Sequence, residues 1–148
     1  FPRYGRDQEM DILLYTTKGN RAGTYLRRVI ESLVFEGKTE AYDSIEAFGI
    51  RLGQTLYEEA IAVLLAGNRE ELLKILSIGD LLNDIPIILI IPDQDKDTVH
   101  TAHTFTPRFL SQTDSDFKDV AAVLKKMLAN KHSRQSLERR NKEYGGTN

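Results

Sequence analysis

The chain contains no cysteine, which excludes disulfides, thiolate catalysis and cysteine-ligated metal centres. It also lacks any apolar run near the ~20 residues that cross a bilayer as a helix. The stretch from Ile85 to Ile91, interrupted only by Pro86, is far shorter. A dominant charge is missing too: 20 Lys and Arg stand against 22 Asp and Glu, for a net charge of −2. That balance gives no whole-chain case for nucleic acid or membrane binding. The opening residues Phe1 to Arg6 carry no signal-peptide core and no initiator Met, which reads as a piece of a longer cytoplasmic protein. No Gly-x-Ser-x-Gly elbow occurs, and His100, His103 and His132 all lie in polar stretches, so serine or histidine catalysis has no support.

What the chain does have is 148 residues, 41% hydrophobic and 28% charged, enough for one globular domain with a proper core. Ile85 to Ile91 is aliphatic without polar alternation, the pattern of a strand covered on both faces. Ala60 to Leu65 repeats it. Met10 to Tyr15 reads as a first strand and Thr39 to Tyr42 as an edge strand. Pro107 to Ser111 reads as the last. Between them lie helical periodicities. Asn20 caps a helix carrying Ala22, Leu26, Val29, Ile30 and Leu33, closed near Gly37. Asp43 with Glu46 resembles a capping box ahead of Ile45, Phe48 and Leu52, stopped by Gly53. Asn68 with Glu71 opens a third helix whose buried stripe is expected at Leu72, Leu73 and Leu76. A short helix is expected around Thr98 to His103. A Thr113 or Asp114 cap leads into a long helix burying Phe117, Val120, Ala121, Leu124, Met127 and Leu128. Alternation of this kind predicts a flavodoxin-like (βα)5 three-layer α/β sandwich with parallel strand order 2-1-3-4-5. Residues 1–8 form a loose polar start, 9–130 the domain, and 131–148 a polar tail or linker.

Over Glu9 to Ala129 this pattern resembles the receiver domain of bacterial two-component response regulators. The pieces that carry the likeness are Asp11-Ile12-Leu13-Leu14-Tyr15, Glu40-Ala41-Tyr42-Asp43-Ser44-Ile45-Glu46-Ala47, Ile85-Pro86-Ile87-Ile88-Leu89-Ile90, and Phe109-Leu110-Ser111-Gln112-Thr113 with the helix after it. The resemblance implies an acidic pair after the first strand to hold Mg²⁺ and an aspartate nucleophile ending the third. It also implies a hydroxyl ending the fourth strand and a lysine after the fifth. Here the acidic pair falls on Thr16 and Thr17, and the nucleophile within Leu64-Leu65-Ala66. The hydroxyl falls on Ile91 and the lysine on Gln112. Every functional position departs from the pattern, so the resemblance implies a degenerate receiver-like signalling domain without phosphoacceptor, metal, cofactor or enzymatic activity. Its partner would be a protein, an output domain or a second copy, bound through a face including Thr98, His103 and Phe109. A small-molecule or nucleotide-binding flavodoxin-like module, using the crevice near Thr16, Thr17, Gly67 and Pro92, is the alternative. A displaced acceptor such as Asp93 is a third.

Other clusters weigh toward ordinary surface. Asp93, Asp95 and Asp97 suit a solvated loop that complements a helix dipole; the glycine and terminal glutamate of a calcium loop are missing. Asp97, His100 and His103 share an i, i+3 spacing that permits a metal, yet exposed histidines among threonines are usually plain surface. Lys18 to Thr24 is a glycine-containing turn without the Gly-Lys-Ser/Thr ending of a phosphate loop. From Lys125 to Lys142 basic residues outnumber acids, which fits an exposed helix running into a linker, with nucleic acid or an acidic partner as the less favoured use.

Overall fold

A computed structural model of the chain describes residues 11–33, 38–54 and 60–129. The polar start, the stop near Gly37 and the tail from residue 131 lie outside the described residues. The strands are β1 (Asp11–Tyr15), β2 (Lys38–Tyr42), β3 (Ala60–Leu65), β4 (Ile87–Ile91) and β5 (Phe109–Gln112). They form one sheet in the order β2-β1-β3-β4-β5, every neighbouring pair parallel. The helices are α1 (Arg21–Leu33), α2 (Ile45–Gly53), α3 (Arg69–Ser77), α4 (Lys96–His103) and α5, over residues 118–129. This is the flavodoxin-like α/β sandwich that the alternation predicts.

Residue alternation along the strands builds two cores, one on each face. Leu13, Tyr15, Leu64 and Leu89 point toward α2, α3 and α4, where Phe48, Leu72, Ile75 and Ala102 meet them. Ile12, Leu14, Val63, Leu65 and Ile90 point the other way, against Leu26 and Ile30 of α1 and Val120 and Leu124 of α5. All of β3 and β4 is buried. Each aliphatic side chain so covered is worth roughly 1.5–3 kcal/mol, which is why these two runs, legible in sequence, sit at the centre.

Three local expectations are corrected. The box at Asp43 and Glu46 gives way to Ser44, whose hydroxyl accepts from the Ala47 N–H at 3.1 Å, because the helix starts at Ile45. In α3 the buried stripe is Leu72 and Ile75, whereas Leu73 and Leu76 are 59% and 41% exposed. The Asn68 cap sets the phase: Ile75 follows Leu72 by three residues, and Leu73 turns ~100° away from it. A 3₁₀ turn, Gly79–Leu82, then enters before β4. Neither Thr113 nor Asp114 caps α5, since the chain first turns back with the Ser115 N–H on the Gln112 carbonyl at 3.2 Å. The carbonyl of Phe117, a residue held at φ +61°, accepts the Ala121 N–H at 2.9 Å.

Strand ends moved for one reason, proline. Pro86 cannot donate, so β4 starts at Ile87 while the Pro86 carbonyl accepts from Ala62 at 2.9 Å. Pro107 likewise precedes β5, and Arg108 supplies the first N–H, to the Ile87 carbonyl at 2.8 Å.

Candidate functional site

In a doubly wound parallel sheet the crevice lies beyond the carboxyl ends of the central strands. The register fixes which residues stand there. Tyr15 pairs with Leu64, Leu65 with Ile90, and Ile91 with Gln112. The edge is therefore Thr16 and Thr17 after β1, Ala66 after β3, Ile91 at the end of β4 and Gln112 at the end of β5. Of the three residues considered for the third strand's end, Leu64 and Leu65 are buried in opposite cores. Ala66 alone sits at the edge, its N–H on the Ile90 carbonyl at 2.9 Å, and it too is buried. Leucine and alanine side chains offer no lone pair for attack, and Ile91 no hydroxyl.

The polar groups at this edge hold one another. Asn68 caps α3, its Oδ1 accepting from the Glu71 N–H at 2.9 Å. Glu71 in turn reaches back across the crevice. Its Oε1 accepts from the Gly67 N–H at 2.8 Å and from the Thr17 hydroxyl, 54 residues earlier in the chain, at 3.1 Å. The Asn68 amide donates to Oε2 at 3.3 Å. One carboxylate thus ties the β1–α1 turn to the β3–α3 turn. Burial pushes the pKa of the adjacent Tyr15 phenol up, and the Glu71 charge pushes it the same way.

Close approach makes the tie possible at two glycines. A Cβ on Gly67 would stand 2.8 Å from Asn20 Nδ2 and 3.2 Å from Glu71 Oε1. A Cβ on Gly23, in the first turn of α1, would lie 1.9 Å from the Thr16 hydroxyl oxygen. That oxygen is buried without a described hydrogen-bond partner. Asn20 caps α1 as expected, accepting from the Gly23 N–H at 3.3 Å. Lys18 to Thr24 is thus a turn and a helix start, with Gly19 at φ +77°.

The acidic stretch after β4 is also spoken for. Arg69 pairs with Asp95 and with Asp93, the latter at 3.4 Å. Asp93 also accepts the Asp95 N–H at 3.0 Å. Its carboxyl is held below the usual carboxylate range, first by the nearby Thr98 hydroxyl and then by that N–H. The Thr98 hydroxyl faces Asp93 without full hydrogen-bond geometry. Asp97, His100 and His103 are exposed along α4, and no group of metal-binding side chains gathers among the described residues.

Of the expected interaction face, only His103 lies open. Thr98 is 2% exposed, because its side of α4, shared with Ala102, packs on the sheet. Phe109 is half-buried against the α1 and α5 core. A cavity of about 250 Å³ lies between α4 and β5, lined by Ile91, Gln94, Val99, Leu110, Ser111 and Gln112. A larger one, about 410 Å³, opens at the opposite end of the sheet around Ile85, Pro86, Thr106 and Arg108.

Sequence reasoning did not find Glu71's reach to Thr17. The Asn68–Glu71 spacing was its only local trace.

No protein-family model and no curated protein matches the chain. Solved structures do. A Burkholderia pseudomallei response regulator with a phosphorylated aspartic acid, calcium ion and citrate superposes with TM-score 0.56 at 16% identity, over 88% of this chain and 75% of that one. A phosphorylated cyanobacterial phytochrome response regulator gives 0.53 at 13% identity, over 80% and 91%. The fold is a receiver fold. A protein described as pilus assembly-related, also from Burkholderia pseudomallei, shares it with TM-score 0.61 at 16% identity, over 83% of this chain and 92% of that chain. The superpositions show the fold alone, and identities at this level carry no chemistry across. Among the described residues of this receiver-like domain, no helix is long and apolar enough to cross a membrane.

Proposed function

We propose that this receiver-like domain is a signalling module that has given up phosphoryl chemistry and works by binding a protein partner or a second copy, without enzymatic activity. The observation that carries the reading is Ala66. It occupies the edge of β3, where a phosphoacceptor aspartate would have to stand, and is flanked there by Thr16, Thr17, Ile91 and Gln112. Phosphoryl transfer to a receiver needs a carboxylate nucleophile and concentrated positive charge, and these five side chains include no carboxylate and no cation. Regulation then rests on differential affinity of a partner for two conformations of the domain.

Incubation with a small phosphodonor and Mg²⁺, followed by intact mass measurement, tests this. The expected mass is unchanged. A stoichiometric gain of one phosphate, labile at alkaline pH, overturns the reading and points to a displaced acceptor such as Asp93. The small-molecule alternative places a ligand in the crevice near Thr16, Thr17, Gly67 and Pro92; the cavity of about 250 Å³ between α4 and β5 is lined by other residues. Native mass spectrometry separates it from the interaction module: a retained ligand favours the former, a ligand-free dimer the latter.

A further inference from the structure

We propose that the outer face of α1 and α5 is an electrostatic docking surface for an anionic lipid bilayer. The inference stands whether or not the crevice takes up a phosphoryl group, since it uses the outer faces of two helices and none of the side chains at the carboxyl edge. A net charge of −2 hides how the fold sorts its charges. The two helices that share one sheet face carry Arg21, Arg27, Arg28, Lys118, Lys125 and Lys126 against Glu31 and Asp119. Acids outnumber bases on the other side, where Glu46, Glu70, Glu71, Asp80, Asp84, Asp93, Asp95 and Asp97 stand against Arg51, Arg69, Lys74 and Lys96. The molecule is therefore a dipole across its own sheet, and such a field orients a protein toward an anionic surface before contact.

The basic face has the right relief. Arg21, Tyr25 and Arg28 recur at i, i+4 and i+7 on the exposed side of α1, and Lys118, Ala122 and Lys125 do so on α5. Cations seven residues apart are about 10.5 Å apart along each helix. Beside Tyr25, the neighbouring exposed positions Thr24, Ser32 and Ala122 are small, so the long basic arms reach past them. Arg21, Arg28, Lys125 and Lys126 make no ion pair among the described residues, while Arg27 is paired with Glu31. Tyr25 is 48% exposed and rests its ring on Phe117 at 5.8 Å, joining the two helices. A tyrosine with an apolar body and a polar tip suits the headgroup region.

Three cavities, of about 410, 250 and 170 Å³, are lined by residues of α3, α4, β4, β5 and the loops next to them, away from this face. A single nucleic acid strand is gripped in a charged channel with stacking platforms, whereas a planar anionic surface needs only an array of cations. The sequence beyond α5 carries Lys131, Arg134, Arg139, Arg140 and Lys142 against Glu138 and Glu143. Each such cation near an anionic leaflet strengthens partitioning roughly fivefold.

Flotation of the full chain with phosphatidylserine–phosphatidylcholine vesicles, and with pure phosphatidylcholine vesicles, tests the proposal. Binding is expected to the anionic vesicles only, and to disappear at roughly 0.5 M salt, where the Debye length is a few ångströms. Arg28→Gln with Lys125→Gln is expected to weaken partitioning about 25-fold, and Asp80→Asn with Asp84→Asn to leave it unchanged or stronger. Thermal melts establish that the variants fold; Arg21→Gln with Lys126→Gln serves in place of a pair that does not. Equal uptake by neutral vesicles, or no uptake by either, overturns the proposal. So does undiminished binding by the α1 and α5 variants, which would place the effect in the tail alone. Salt-sensitive retention of an oligonucleotide without vesicle binding also overturns it, in favour of nucleic acid.

Discussion

Replacing Glu71 by Ala should loosen the crevice more than any other single truncation of an accessible side chain near it. The carboxylate accepts from Gly67, Thr17 and Asn68 at 2.8, 3.1 and 3.3 Å, and it stands in the first turn of α3. A net hydrogen bond contributes about 1 ± 0.5 kcal/mol, and more to a charged acceptor. Water can replace part of this at the two exposed contacts, so the full charged value does not apply. Adding a few tenths for the helix dipole gives a loss of about 2 kcal/mol for Glu71→Ala. Glu71→Gln keeps an acceptor for Thr17 and Gly67 but sets an NH₂ against the Asn68 amide, so it should lose about half as much. Glu70→Ala, in the same turn and exposed, should cost only the dipole contribution.

Urea unfolding followed by far-ultraviolet circular dichroism reads these differences as midpoint shifts at constant slope. Hydrogen exchange adds a local readout, because the Gly67 amide should lose protection in Glu71→Ala while the Ala66 amide, bonded to Ile90, should not. A double-mutant cycle with Thr17→Ala isolates the crossing contact and should return a coupling of roughly 0.5–1 kcal/mol. If Glu71→Ala falls within 0.5 kcal/mol of Glu70→Ala, or the cycle closes to zero, the carboxylate is a solvated surface group and the tie between the two turns does not exist.

Gly23→Ala should destabilise the domain by roughly 1–3 kcal/mol despite alanine's better helix propensity. The new methyl meets not only the Thr16 hydroxyl at 1.9 Å but also its Cβ at 2.9 Å, which no rotamer change can move; Thr16→Gly in the same chain should restore most of the loss, and a neutral Gly23→Ala would show that the first turn of α1 does not press on Thr16. Tyr42 supplies the pH dependence: burial and its hydrogen bond to Glu40 at 2.6 Å push the phenol from 10.0 up to about 12. The folded pKa is the higher one, so this contribution is whole below pH 10 and drains away as pH rises toward 12. Ultraviolet titration should find a late-titrating phenol that Tyr42→Phe removes; no late phenol in the folded protein would refute the assignment.

How much of this was legible depended on whether a residue's partners were near it in sequence. Ala60 to Leu65 and Ile87 to Ile91 announce their central places through composition alone, because only a strand covered twice tolerates unbroken aliphatics. Asn68 announces its cap because the N–H it satisfies lies three residues on. Leu73 and Leu76 misled because a leucine-rich turn leaves the phase open until the cap and Ile75 fix it. Thr98 looked like surface because α4 is short and polar, and only packing reveals which of its threonines faces the sheet. Phe117 at φ +61° has no sequence signal, since a buried aromatic is an unexpected occupant of the left-handed region. Charge sorting between faces was invisible for a similar reason: the net value sums over the sheet that separates the signs.

The crevice argues against a displaced metal site by its own chemistry. Glu71, Asp93 and Asp95 are among the carboxylates near the carboxyl edge, so a count of acids alone would leave room for a cation. Their partners decide otherwise. Glu71 looks at an N–H, a hydroxyl and an amide, all donors aimed at the same carboxylate. Asp93 and Asp95 share the Arg69 guanidinium. A divalent ion entering here would have to displace donors whose positive ends point toward it, and to compete with a guanidinium already in place. It would recover no second carboxylate at Thr16, Thr17 or Ala66. Donors converging from separate turns are what an anion asks of a site, and in this chain the anion is a side chain of the protein itself. Apart from the buried Thr16 hydroxyl, the polar groups described at this edge are satisfied within the chain, which supports reading the domain as a scaffold whose outer faces carry its specificity.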